Sequence, residues 1–138
     1  MLQSRQKTKM TDEEIKSCKD LQATAYLNMA VCHHVTKNYQ KAADNAKKSS
    51  NLNPSIKAYY REGQAYKQLQ NYEKAIEAYT KAVKIDVSDP NDIQTELLQC
   101  EKLEAAKEKK RLEKLGGFLK NGLWSFRLNL KEFQINKK

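Results

Sequence analysis

The chain has 138 residues, enough for one compact domain or a short repeat array but too few for two well-developed cores. Only four Gly and two Pro accompany 31% charged residues, which excludes turn-rich β architecture and favours an all-α protein. The formal net charge of +9 is concentrated at the two ends, since residues 1–54 and 101–138 are basic whereas residues 55–100 are slightly acidic.

The start of the chain and its cysteines indicate a compartment. The opening MLQSRQKTKM lacks the apolar core of a signal peptide, and no run approaches the ~20 apolar residues that span a bilayer. Cys18, Cys32 and Cys100 are odd in number and form no Cys-x-x-Cys pair, which argues against a disulfide framework and a zinc site. We expect a soluble cytoplasmic protein without a cofactor, with a nuclear location left open.

A repeat of 33 residues occupies the middle of the chain. A shift by 33 places Tyr26 on Tyr59, Ala30 on Gly63, Asn38-Tyr39 on Asn71-Tyr72 and Ala42 on Ala75. A period near 34 is typical of a helical-hairpin solenoid, in which each helix pair buries its apolar side against the next. The pattern predicts helices over about 21–36, 39–52, 55–69 and 72–85, with tight turns at Lys37-Asn38 and Gln70-Asn71.

These positions resemble the tetratricopeptide repeat over about residues 21–90, which implies two repeats of that type. The second repeat carries the family's aromatic and small residues at Tyr59, Gly63, Tyr66, Tyr72, Ala75, Tyr79 and Ala82. The first carries them at Tyr26, Ala30, Tyr39, Ala42 and Pro54, with His33 where Tyr is usual. The resemblance implies that these tyrosines pack between helices, whereas Tyr60 lies off the packing positions and is expected to border the concave groove.

A further helix is predicted after the repeats. Asp89-Pro90 supplies a start signal, and Ile93, Leu97, Cys100 and Leu103 follow at helical spacing. We expect a long capping helix over 91–115 whose front half covers the array and whose charged back half projects into water. Gly116-Gly117 should end it, leaving a basic and aromatic tail at 116–138.

The first 20 residues have no repeat signature of their own. We interpret residues 1–20 as the end of a preceding repeat and a connector, and the chain as a fragment of a longer protein. Two repeats are fewer than such arrays usually need, because a terminal unit exposes the face that a neighbour would bury. The uncovered edge of helix 21–36 should therefore drive self-association, unless residues 1–20 fold over it.

Three polar residues on the inner helices are candidates for binding a peptide carboxylate. Asn28 and Arg61 occupy the same position in successive repeats, and Lys57 lies one turn before Arg61. On spacing alone such a cation pair is usually a solvated face, but the repeat register directs all three residues to one groove. Ammonium, guanidinium and amide donors together suit a carboxylate. The groove lining is expected to include Val31, Tyr60 and Gln64.

The stretches LNMAVCHH and KAYYREG resemble the second and third repeats of the large immunophilins, the FK506-binding and cyclophilin-type peptidyl-prolyl isomerases. In that family a carboxylate clamp grips the Glu-Glu-Val-Asp tail of the ninety-kilodalton heat-shock chaperone. The resemblance assigns clamp positions to Asn28, Lys57 and Arg61, and implies a co-chaperone docking module. The family's first repeat supplies a further Lys and Asn that residues 1–20 do not match, so binding should be weakened about a hundredfold.

Other functions have less support in the sequence. The isomerase domain of the resembling family is absent, so the chain itself should not be an enzyme, although its parent could be an isomerase. Cys32-His33-His34 cannot chelate one ion, because consecutive helical residues point about 100° apart. A basic amphipathic stretch at 107–127 leaves calmodulin open as a partner. No nucleic-acid motif is present, and the alternative function is a generic scaffold or self-association module.

Overall fold

The computed structural model describes residues 9–88 and 92–136, and the side chains of 9–88 and 92–122. These residues form five α-helices and no strand, as an all-α tetratricopeptide solenoid requires. The helices are α1 (Asp12–Val35), α2 (Tyr39–Leu52), α3 (Ile56–Gln68), α4 (Tyr72–Ile85) and α5 (Ile93–Asn136). Within the described ranges, no helix combines the length and apolar character needed to cross a membrane.

Helix α1 begins nine residues before its predicted start. Thr11 closes a capping box: its hydroxyl accepts a hydrogen bond from the Glu14 N–H at 3.2 Å, and its own N–H donates to Glu14 Oε2 at 3.1 Å. Residues 12–20 are therefore part of α1. That residues 1–20 hold the end of a preceding repeat and a connector stays a prediction, and residues 1–8 lie outside the described residues.

Both predicted turns are confirmed and share one geometry. Lys37 and Gln70 have φ of 62° and 59°, in the left-handed region that glycine usually occupies at helix ends. The following amide N–H groups reach back across the turn, from Asn38 to the His33 carbonyl at 2.8 Å and from Asn71 to the Tyr66 carbonyl at 2.9 Å. This Schellman arrangement satisfies the last helical carbonyls and reverses the chain.

Small residues lie where the helices approach closely. Ala30, Ala42 and Ala75 are each at most 1% exposed. Gly63 lies against the Tyr79 ring, where an added Cβ would be only 2.5 Å from Cε1. Of the expected packing tyrosines, Tyr79 is fully buried and Tyr66 nearly so, and the core around them also contains Ile93 and Cys100.

The beginning of α5 covers the second repeat. Ile93 and Cys100 are buried, and Lys67 of α3 donates to Glu96 Oε2 at 2.8 Å and to Gln99 Oε1 at 2.7 Å. The front of the helix thus packs on the second repeat, while its role as the cap of an array stays a prediction. The start signal at Asp89-Pro90 lies outside the described residues, and α5 begins at Ile93 after Asp92, whose φ is 53°.

The predicted end of the capping helix at Gly116-Gly117 is wrong. Helix α5 runs on through both glycines to Asn136, and neither has positive φ. Glycine in a helix interior costs about 1 kcal/mol relative to alanine, which disfavours the helix without ending it. The flanking segments RLEKL and FLKN consist mostly of good helix formers, so the helical backbone continues.

Candidate functional site

A concave pocket of about 370 Å³ lies between α1 and α3. Its lining residues are Leu27, Asn28, Val31, Lys57, Tyr60 and Arg61. The pocket thus brings together the three predicted carboxylate ligands and two of the three predicted lining residues. Their role in binding remains a prediction, whereas their location on one surface is a feature of the fold.

The repeat register explains why Asn28 and Arg61 meet. They are 33 residues apart, one repeat, so they occupy the same position on two inner helices that lie side by side. Lys57 precedes Arg61 by four residues on α3, and such residues share a helix face. Ser55 is the N-cap of α3, and its hydroxyl accepts a hydrogen bond from the Ala58 N–H at 3.2 Å.

The pocket carries positive charge without an internal counter-charge. No acidic side chain is among its lining residues. Within the described part of the chain neither Lys57 nor Arg61 forms an ion pair, and Lys57 is exposed. An anion entering the pocket would therefore meet two cations that no intramolecular carboxylate already occupies.

Gln64 does not line the pocket, contrary to the prediction, but it contacts a residue that does. Arg61 Nη1 donates to Gln64 Oε1 at 3.3 Å, one helical turn further along α3. Gln64 is thus hydrogen-bonded to a lining residue without being one of the residues that line this pocket. Tyr60 lines the pocket as expected, and its ring centroid lies 6.1 Å from that of buried Tyr79.

Leu27 is a lining residue that the sequence analysis missed. It lies one turn before Val31 on α1, and the two residues form an apolar wall next to the polar ligands. The i, i+4 spacing of two aliphatic residues beside Asn28 was the available signal. A pocket lined by both aliphatic and cationic side chains can hold an aliphatic side chain next to a carboxylate.

His34 interacts electrostatically with Arg61. Its Nδ1 is buried and has no hydrogen-bond partner among the described residues. Desolvation lowers the pKa of His34, and the positive charge of Arg61 lowers the pKa further. The imidazole is thus kept neutral beside Arg61, and its ring packs edge-on against Tyr39 with centroids 5.2 Å apart.

A smaller concavity of about 70 Å³ lies among α2, α3 and α4. Its lining residues are Lys47, Glu62, Tyr66, Lys74, Glu77, Ala78 and Lys81. Burial raises the pKa of half-buried Glu62, and Lys81 Nζ lies 3.6 Å from Glu77 Oε1. Two carboxylates accompany the three ammonium groups, so most of the positive charge in this site is balanced, unlike that of the larger pocket.

The comparison with known proteins agrees with the fold. The family model for the tetratricopeptide repeat matches residues 56–89, which is the second repeat. Dynein axonemal assembly factor 4 of Pongo pygmaeus and of Pan paniscus are each 37% identical over 73 residues, covering 46% of this chain. The Rattus norvegicus protein of the same name is 37% identical over 70 residues, covering 44%. The chain spans only 17% of the length of these relatives.

These findings support a tetratricopeptide module of the protein-interaction class. The relatives are named as dynein assembly factors and not as immunophilins. An immunophilin parent therefore stays a prediction, as does the isomerase activity of such a parent.

Proposed function

We propose that the pocket between α1 and α3 binds the C-terminal carboxylate of an acidic peptide. The observation that carries the proposal is the meeting of Asn28, Lys57 and Arg61 in a pocket without an acidic residue. The Asn28 amide donates to the terminal carboxylate, while Lys57 and Arg61 hold carboxylates as charge-assisted donors. Each such bond contributes about 1.5–3 kcal/mol.

The apolar wall specifies the peptide further. Leu27 and Val31 lie beside the polar ligands, so the pocket suits an aliphatic side chain adjacent to the terminal acidic residue. The Glu-Glu-Val-Asp tail of the ninety-kilodalton heat-shock chaperone, the partner implied by the resemblance to immunophilins, has this order of side chains. We place this docking in the cytoplasm.

The names of the relatives suggest the setting. They are described as factors for the assembly of axonemal dynein, and assembly of large complexes is a process in which a chaperone-docking module has a clear use. On this proposal the module recruits a chaperone by its tail to a client that is being assembled. If the pocket binds another protein instead, the chain serves as a general scaffold.

The test is a titration with an acidic peptide ending in Glu-Glu-Val-Asp, compared with the same peptide amidated at its C-terminus. Fluorescence anisotropy should show at least about tenfold weaker binding of the amide, because one charge-assisted bond to the terminal carboxylate is lost. Arg61→Ala and Lys57→Ala should each weaken binding of the free acid by a similar factor. Lys84→Ala removes an exposed lysine from α4 and is the matched control.

Two results would contradict the proposal. Equal binding of the acid and the amide would mean that the terminal carboxylate is not recognised. Equal weakening by Lys84→Ala and Lys57→Ala would mean that only net charge matters, as for a merely basic surface.

A second candidate function concerns the predicted calmodulin segment at 107–127. The glycines that would have interrupted it lie within α5, and Leu112, Leu115, Phe118 and Leu119 are exposed on a helix rich in lysine. A basic helix with an apolar face is the form that calmodulin binds. A calcium-dependent gain in anisotropy of labelled calmodulin with the wild-type chain, abolished by Phe118→Glu, would support it. Binding that is unchanged by removing calcium would contradict it.

A further inference from the structure

The back of α5 carries large apolar side chains that the described part of the chain leaves uncovered. Residues 102–138 form a unit of their own, and its side chains are described as far as residue 122. Four of them, which we name the apolar face of α5, are between 44% and 72% exposed: Leu112, Leu115, Phe118 and Leu119. Large apolar side chains grouped on a helix rich in lysine are typical of a binding surface.

The apolar face carries no charge that lacks a partner. At 100° per residue its four side chains fall within an arc of about 120°. Over residues 108–122 the charged residues inside that arc are Glu108 and Arg111, and they bond to each other twice. Arg111 Nε donates to Glu108 Oε2 at 2.8 Å, and Nη2 donates to Oε1 at 2.6 Å. The pair therefore brings almost no net charge to the face.

Lysines follow the apolar face along both of its edges. Lys109 and Lys120 lie about 60–80° from Leu112 on one edge, and Lys114 lies beyond the other edge. All three are exposed. Residues 109–122 include five basic residues against one acidic residue. Since a lysine stem lies along apolar surface while its ammonium reaches a polar layer, the face is complementary to a surface that is apolar inside and anionic at its boundary.

Glycine on this face favours a fluid surface over a preformed groove. Gly116 comes four residues after Leu112 and three before Leu119, and a Cβ added to it would meet nothing within 4 Å. A groove in a protein takes a helix through side chains at spacings of three, four and seven residues, and Gly116 offers none at its position. The acyl chains of a bilayer have no fixed shape, so they fill the space above a glycine.

We propose that the apolar face of α5 binds an anionic membrane surface, with the helix axis parallel to the bilayer. The four apolar side chains enter the boundary between headgroups and acyl chains, and the flanking lysines contact the acidic headgroups. The helix lies along the surface, because crossing the bilayer would carry Lys110 and Lys114 into hydrocarbon. Calmodulin, the second candidate above, would cover the same face, so the two are alternative occupants.

The charge of the surface is the first test. The full chain is floated with vesicles of phosphatidylcholine alone, or with about 30% phosphatidylserine, and should partition at least about tenfold more strongly into the anionic vesicles. The difference should shrink as salt is added. Lys120→Glu should weaken partition into the anionic vesicles about tenfold, whereas Lys84→Glu, which changes an exposed lysine of α4, should weaken it less.

Three results of this experiment would overturn the proposal. Equal partition into the two kinds of vesicle would mean that the lysines do not contact the headgroups. Equal weakening by Lys120→Glu and Lys84→Glu would mean that only the net charge of the chain matters. A chain that calmodulin captures but that stays in solution with anionic vesicles would show that the face belongs to a protein partner.

Two neighbouring glycines test the face itself. Gly116 lies about 40° from Leu112 and extends the apolar face, whereas Gly117 lies about 140° from Leu112 and is outside it. Gly116→Leu should raise partition into anionic vesicles about tenfold relative to Gly117→Leu, because only the first adds a leucine that the membrane buries. Both changes raise helix propensity equally, and circular dichroism should show the same helix content. Equal partition of the two variants would overturn the proposal.

Discussion

In the second helical hairpin, α3–α4, the ring of Tyr79 lies against Gly63, whereas the equivalent positions of the first hairpin hold Ala46 and Ala30. All four residues are buried. The second hairpin sets a large ring against a residue without a side chain, whereas the first has alanine at both positions. The same backbone register therefore admits two ways of filling the space between paired helices. Tyr79 also belongs to the core cluster that contains Ile93 and Cys100 of α5.

The first hairpin compensates with polar contacts. Ser49 Oγ donates to the Ala23 carbonyl at 2.7 Å, and the buried residues of α2 are alanine, serine and Asn45. At the equivalent positions 33 residues later, Tyr66 stands in place of His33, and Lys67 stands in place of His34. Lys67 bonds to α5, whereas the buried Nδ1 of His34 has no hydrogen-bond partner among the described residues. The difference shows that the large buried side chains lie in the second hairpin, while the first buries small and polar residues and contributes Asn28 to the pocket.

Replacing Tyr79 should have the largest effect on the difference between the two hairpins. Tyr79→Ala should lower the free energy of unfolding by about 3–5 kcal/mol, as for other buried aromatic truncations, because it leaves a cavity beside Gly63. Chemical denaturation measures the loss. Tyr79→Phe is the control: the hydroxyl has no partner among the described residues, so its removal should be neutral or stabilising. A large loss in the Phe variant would show that the hydroxyl is bonded.

Filling the glycine position should have the next largest effect. Gly63→Ala should destabilise by about 1–3 kcal/mol, because the clash with the Tyr79 ring outweighs the roughly 1 kcal/mol gained in helix propensity. In the Tyr79→Ala background the same change should be stabilising, since the pair then matches Ala30 and Ala46. A double-mutant cycle measures this coupling. Additive effects would mean that the ring moves aside freely and that the two hairpins are not different in this respect.

The turns are the feature that the hairpins share, and the expected effect is smaller. Lys37→Gly and Gln70→Gly should each stabilise by up to about 1 kcal/mol, because glycine adopts positive φ without the Cβ penalty. Thermal denaturation should show similar gains at the two sites. Gln68→Gly, within α3, is the control and should destabilise. A gain at one turn alone would mean that the two turns are not energetically equivalent.

The smallest expected effect is the pH dependence of stability that His34 gives to the first hairpin, where the second hairpin has Lys67. The pKa of His34 is lowered by burial and by Arg61, so the folded protein binds fewer protons there than the unfolded chain. The resulting stability is fully present above the ordinary histidine pKa of about 6.5 and is lost as pH falls below it. Urea unfolding at about pH 7.5 and pH 5.5 should show a smaller pH dependence in His34→Gln than in wild type.

His33→Gln, which removes the neighbouring imidazole, controls for the loss of one titratable side chain. A wild-type protein more stable at the lower pH would reverse the sign and contradict the assignment. So would an unchanged pH dependence in His34→Gln.

Most helix boundaries followed from the sequence because their signals are local. The bounds of α2 and α4 match the prediction, and both turns lie at the predicted residues. The start of α1 at Asp12 differs from the predicted residue 21, because a capping box at Thr11 and Glu14 begins the helix before the repeat pattern does. The end of α5 differs from the prediction because the cost of two glycines is too small to end a helix by itself.

The candidate site, too, was predictable from the sequence only in part. The sequence could predict that Lys57 and Arg61 share a face, and that Asn28 occupies the equivalent position one repeat earlier. It could not predict that Gln64 would bond to Arg61 instead of lining the groove, or that Leu27 would form its wall. Those outcomes depend on rotamers and on the distance between neighbouring helices.

By itself, then, the sequence determined the helices, the repeat and the charge of the inner face, because periodicity and capping act over a few residues. Only the tertiary structure decided which side chains meet across helices. The spacing between helices depends on how side chains such as Tyr79 and Gly63 fit together, and residues far apart in the chain set that fit jointly.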